Sequence, residues 1–177
     1  MTHSRLDREI KINQGASHLQ FLIEPIRVSY RREVNVSVAG IKIDAKEGDI
    51  SSIPRWLAKI LMKEGAIEIS DNHISAYISR ALNRERIAKP HDLSGIDPDF
   101  YIRVNDYLQS LSDREKESLI VSMNSFVASR LEKIVKLASA SPSSTEIREK
   151  LSSEEHQLYE LVHDSSSAFK QKVLRIV

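Results

Sequence analysis

The residues of this chain that could do chemistry are few. Asp97 and Asp99 stand close enough to be imagined as an acid–base pair, and His156 and His163 share a helical face with Glu155 and Asp164 beside them. The two histidines are separated by two helical turns, about 10.5 Å, which is too far for two ligands of one metal. Asp97 precedes Pro98 and reads as a helix N-cap with the proline in the first position, and Asp99 falls in the first turn, where a negative charge suits the helix dipole. No further group completes a constellation around either aspartate. The chain has no cysteine, so thiolate nucleophiles, disulfides and cysteine-held zinc are excluded. It carries no phosphate-cradling glycine loop, no nucleophile elbow and no HExxH. The sequence predicts no enzyme, no cofactor and no metal site.

Charge points to local patches only. Over 177 residues, 29% are charged and the formal net charge is +1, so the chain as a whole is not built to attract nucleic acid or an acidic membrane. Basic residues gather twice, as Arg27, Arg31 and Arg32, and as Arg80, Arg84, Arg86 and Lys89. The second group is a candidate contact for DNA or a partner, although no aromatic residues interleave with it to stack bases. No apolar run is long enough to span a membrane, and the polar beginning MTHSRLDREIK lacks the apolar core of a signal peptide, so a soluble intracellular protein is expected.

The elements that must position these groups fall into an α+β arrangement: a small β-rich part with one short helix, then a mainly helical bundle. Residues 1–18 read as a loosely held arm, 19–70 as the β-rich domain and 71–177 as the α-helical domain. Phe21, Ile23, Ile26, Val28 and Tyr30 are spaced for strands, and Val34, Val36 and Val38 alternate with polar residues up to a tight turn at Ala39-Gly40, from which Ile41 and Ile43 return. Ser51 or Ser52 with Pro54 predicts a helix start, Trp56, Leu57, Ile60 and Leu61 its apolar stripe, and Gly65 its left-handed end before a closing strand over 66–69.

Beyond Asp71 the spacing is helical throughout. Asp71 or Asn72 caps a helix through Ile74 and Leu82, and Asp97 opens one striped by Tyr101, Val104, Leu108 and Leu111. Ser112 with Glu115 and Ser152 with Glu155 are capping-box pairs. Between them Leu119, Met123, Phe126, Val127, Arg130, Ile134 and Leu137 share one face, interrupted by a single charge, Arg130. An arginine in an apolar stripe requires an answering carboxylate, which a neighbouring helix could supply. SASPSS, residues 139–144, breaks the pattern before a short turn and a last helix striped by Leu158, Leu161, Val162, Ser165, Phe169, Val173 and Ile176.

Four segments, taken in order, resemble the subunits of the GINS complex of archaeal and eukaryotic DNA replication. They are Ile53-Pro54-Arg55-Trp56-Leu57-Ala58 followed by Gly65; Asp99-Phe100-Tyr101; Arg130 to Ala138, of the form R-x-x-K-I-x-x-L-A; and Leu151 to Tyr159, of the form L-S-x-E-E-x-x-L-Y. The order of domains is similar to that of the subunits that place the β domain first, and the compact length looks archaeal.

The resemblance implies a non-enzymatic scaffold subunit. It implies a homo- or hetero-tetramer with other GINS subunits, built through the helical domains, linking the MCM helicase ring to a RecJ-like partner and to polymerase and primase. On that footing Phe100, Tyr101, Val104, Phe126, Arg130, Lys133, Ile134 and Leu137 are the candidates for the subunit interface, and Pro54, Trp56 and Ala58 carry the β-domain motif. The implied setting is the cytoplasm, at the nucleoid, if the chain is archaeal, and the nucleus if it is eukaryotic. A second reading is a stand-alone nucleic-acid-binding module that uses Arg80 to Lys89.

Overall fold

A computed structural model describes residues 15–69 and 74–174. The chain divides into two compact units, one within Ala16–His73 and one within Ile74–Val177.

The first unit is the β-rich one. Helix α1 occupies residues 15–23, followed by strands β1 (Pro25–Tyr30), β2 (Val34–Val38), β3 (Ile41–Ala45) and β4 (Ile50–Pro54), helix α2 (Arg55–Lys63) and strand β5 (Ile67–Ile69). β1 is central in an antiparallel sheet of order β4-β1-β5, and β2 and β3 pair as a separate hairpin. The hairpin register sets Val38 opposite Ile41, as a tight Ala39-Gly40 turn requires. Both turn residues have positive φ, 49° and 79°, the geometry that matches the twist of the flanking strands. Val28, Tyr30, Leu57, Ala58 and Ile67 bury against one another in the core, with Trp56 packed half-buried on its edge. Gly65 leaves α2 at φ 65°, the left-handed end expected of it.

Three features of this unit differ from the sequence reading: of the arm read over residues 1–18, residues 1–14 lie outside the described residues and residues 15–18 are helical. Phe21 and Ile23 lie in a helix, not a strand. Pro25 disfavours helical backbone in the residue before it, so the helix stops at residue 23 and the proline opens β1. Phe21 is buried because the Arg55 guanidinium lies over its ring, 4.3 Å from the centroid. Ser51 and Ser52 do not cap α2 but belong to β4, where Ser51 pairs with Val28 and its hydroxyl meets that of Tyr30 at 3.0 Å. Pro54 itself takes the N-cap position.

The second unit consists of α3 (Ile74–Ile87), α4 (Phe100–Leu108), a long α5 (Asp113–Ala140), a single turn α6 (Thr145–Arg148) and α7 (Ser153–Leu174). The proposed caps of α3, Asp71 and Asn72, lie outside the described residues, as does Ile176. One core joins α3, α4 and the first half of α5 through Ile78, Ala81, Phe100, Val104, Met123 and Phe126. The Phe100 ring stands 5.4 Å from that of Phe126. A second core lies where α7 crosses α5, around Leu93, Ile134, Ala138, Leu151 and Tyr159. The long connection from α3 to α4 is pinned by Leu93 and Ile96, both buried.

Both capping boxes form. The Glu115 carboxylate accepts the Ser112 backbone N–H at 3.2 Å, and Ser152 and Glu155 exchange bonds of 3.2 and 3.3 Å. α4 starts later than its sequence suggests. Asp99 holds the N-cap position and pairs with Arg103 one turn on, at 2.8 Å. Asp97 instead accepts the Tyr77 hydroxyl at 2.8 Å, which ties the start of α4 to α3. Burial and the neighbouring Asp97 carboxylate together push the Tyr77 phenol well above its ordinary range. The α+β class stands: small antiparallel sheets come first and a helical bundle follows.

Candidate functional site

The charge in the middle of the α5 stripe is the organising point of the helical unit. Arg130 is 1% exposed. Its guanidinium has five N–H donors in a planar fork, and all five are used. Nε and Nη2 donate to the two oxygens of Glu155, each at 2.6 Å, in a bidentate pair. Nη1 donates to Glu85 Oε2 and to the Ser94 carbonyl, both at 2.8 Å, and Nη2 reaches the Lys150 carbonyl at 2.9 Å. Lys133, one turn along α5, donates to the other Glu85 oxygen at 2.6 Å, and the Tyr101 hydroxyl donates to Glu155 at 2.7 Å.

Two cations and two carboxylates thus balance inside the unit, and every oxygen of both acids accepts at least one bond. Burial alone would raise the Glu85 carboxyl. The bonds from Lys133 and Ser94 and the charge of Arg130 outweigh that and hold it below the ordinary carboxylate range. Tyr101 is pushed far up, first by burial and then by the Glu155 charge beside it. A neutral, saturated network of this kind has no proton to move and no open position for a substrate. What it does is mechanical: it ties together α3, the loop after α3, α4, α5, the turn at Lys150 and the start of α7.

The network also decides where the sequence candidates lie. Phe100, Val104, Phe126, Arg130, Lys133 and Ile134 are buried within the unit, while Tyr101 and Leu137 are half-buried. The carboxylate that Arg130 requires comes from this chain's own α3 and α7, not from another chain. On the surface, α5 instead presents Ile120, Val121, Val127, Leu131 and Val135. Val127 is therefore an exception to the buried face predicted for it. On α7, Leu158 and Val162 pack on the core, but Leu161, Phe169 and Val173 are exposed and so depart from the predicted packed stripe. Pro54, Trp56 and Ala58 of the β-domain motif join β4 to α2, with Ala58 fully buried in the β-rich core.

Arg80, Arg84, Arg86 and Lys89 are exposed at the far end of α3. The imagined metal and acid–base groups do not assemble: His156 stands 3.6 Å from Glu160 and His163 bonds the Ala138 carbonyl at 3.0 Å. Among the described residues no group of three or more histidine, aspartate or glutamate side chains could hold a metal ion, and no helix is long and apolar enough to cross a membrane.

Glu85 and Ser94 had no place in the sequence reading. A signal for Glu85 exists: it is the only acid in α3 and falls on the same face as Ile78 and Ala81. A lone acid on an apolar face, like the lone arginine of α5, is half of a buried pair. Ser94 carries no comparable signal, because its role depends on the path of a loop.

No curated protein matches the chain. The family model of the GINS complex protein helical bundle domain, Sld5, matches residues 69–174, the whole described extent of the helical unit. With the match covering more than half of the sequence and the helical bundle in place, the chain belongs to the GINS family of DNA replication subunits.

Proposed function

We propose that this chain is a non-catalytic scaffold subunit of a GINS-type tetramer, homomeric or mixed, that assembles through its helical unit. In this role it joins the MCM ring to a RecJ-like partner and to polymerase and primase during DNA replication, at the nucleoid or in the nucleus. The observation that carries the reading is the apolar surface of α5. Ile120, Val127, Leu131 and Val135 recur at helical spacing along about 22 Å of one helix and remain exposed beside a filled core. An isolated unit has no use for such a strip, and a neighbouring subunit's helix does. The buried network supports the same reading, since it holds α5 rigidly in place while taking no part in the surface.

The test is the mass of the protein by light scattering, alone and mixed with other GINS subunits of its source. Leu131→Glu and Val135→Glu together should shift the wild-type assembly toward the monomer. Both positions are exposed, so stability of the monomer should change by no more than about 0.5 kcal/mol per site. An assembly of unchanged mass would remove α5 from the interface.

A further inference from the structure

The outer face of α3 is unlike the rest of the surface. Arg80, Arg84 and Ile87 follow one another at successive turns, on the side of the helix away from Ile78, Ala81 and Glu85. Arg86 stands beside them, and Lys89 extends the positive charge into the loop. Cations at a helix C-terminus suit the dipole, but that effect fades within the last turn and does not reach Arg80. None of the four cations pairs with a carboxylate among the described residues. Arg80 bonds the carbonyl of Ala76 in its own helix, and Arg86 bonds Asn83. The only acid in α3, Glu85, is buried and occupied by Arg130 and Lys133. The nearest acid in the following loop, Asp92, is held by Lys150 at 2.9 Å.

In the midst of these cations sits Ile87, 79% exposed, the most exposed large hydrophobic among the described residues. A phosphate backbone would use the arginines and gain nothing from the isoleucine. The face also offers no aromatic ring on which a base could stack, because Tyr77 is turned inward to Asp97. A polypeptide carrying carboxylates around an apolar side chain satisfies both features. Its charges would be drawn in by the cation cluster, and its apolar residue would cover Ile87 and the aliphatic stems of Arg80 and Arg84. Glu85, locked in the interior, fixes the rotation of α3 so that this face cannot turn inward.

We propose that the outer face of α3, formed by Arg80, Arg84, Arg86, Ile87 and Lys89, docks an acidic segment of a partner protein that presents an apolar side chain between its carboxylates. This is distinct from the α5 strip and from subunit assembly.

The full-length protein is titrated, by fluorescence anisotropy at low salt, into a fluorescein-labelled peptide rich in glutamate and aspartate that carries leucines one helical turn apart. The same peptide with serine for leucine, and a labelled DNA duplex, serve as the comparison probes. The leucine peptide is expected to bind best. Arg84→Glu and Ile87→Ser should each weaken it about tenfold, with circular dichroism melting and assembly mass unchanged. Tighter binding of the duplex that ignores Ile87→Ser would assign the face to nucleic acid and overturn the proposal. Equal binding of the serine peptide, absence of binding by the leucine peptide, or a loss of assembly mass in either variant would overturn it as well.

Discussion

Arg130 and Glu155 meet as two parallel nitrogen–oxygen pairs, Nε to Oε1 and Nη2 to Oε2, each 2.6 Å long and both out of contact with water. The same carboxylate closes the capping box at the start of α7, accepting the Ser152 N–H. One side chain thus starts a helix and fastens it to the core.

Removing the arginine should therefore damage the fold before it touches any assembly. Arg130→Met leaves Glu155 and half of Glu85 buried without their cation, and the expected loss is about 3–5 kcal/mol in urea unfolding of the purified protein. Replacing the stranded acid as well, with Glu155→Gln, should recover part of it, since Glu85 keeps Lys133 and a buried charge without a partner costs more than an uncharged group of similar shape. A double variant no more stable than Arg130→Met would show that lost packing, not stranded charge, sets the cost.

Phe126 is expected to matter by packing and by its face-on contact with a buried cation. It contacts the Phe100 ring, and the Arg130 Cζ lies over the Phe126 ring, 5.5 Å from the ring centroid. Phe126→Ala should destabilise by about 3–5 kcal/mol, read from the denaturation midpoint. A midpoint close to wild type would mean that the α3–α4–α5 core closes over the missing ring.

Acid should loosen the helical unit through Glu85. Its folded carboxyl lies below the ordinary value of 4.5. The stability it contributes is therefore fully present above that pH and drains away as the pH falls through the depressed folded value. Thermal midpoints taken from neutral to acid pH should fall on the acid side for the wild type. In Glu85→Gln the midpoint should start lower at neutral pH and decline less steeply. Parallel acid limbs in the two proteins would show that Glu85 is not the group being protonated.

Periodicity made much of this structure legible. The Val34–Val38 alternation and the Ala39-Gly40 turn were sufficient for a hairpin in the observed register, and Gly65 marked the end of α2, because these features depend on neighbours in sequence. The stripe of α5 was readable for the same reason, with Met123, Phe126, Arg130 and Ile134 buried as their spacing implies. What escaped was decided at long range. Ser51 and Ser52 look like caps and become strand, because β1 offers them backbone partners. Asp97 looks like a cap and becomes an acceptor for Tyr77, twenty residues earlier. Glu155 was legible as a capping residue, while its larger role depends on an arginine that only the tertiary fold brings near. Of the candidates for assembly, Phe100, Val104, Phe126, Arg130, Lys133 and Ile134 are buried in the unit's own core, while Tyr101 and Leu137 are half-buried. An exposed apolar strip lies further round the helix, and spacing alone does not say which of two adjacent strips faces out.

The Arg130 cluster also has a consequence for how the chain is made. Its members come from residues 85, 94, 101, 130, 133, 150 and 155, so the two carboxylates that neutralise the arginine are separated by most of the helical unit. During synthesis α3 and α5 are polymerised before Glu155, and until α7 joins them Arg130 has only Glu85 to share with Lys133. The unit cannot lock until its last helix has been translated. A chain cut short before residue 155 would keep an open, unbalanced core, marked for chaperones and proteases and not for assembly.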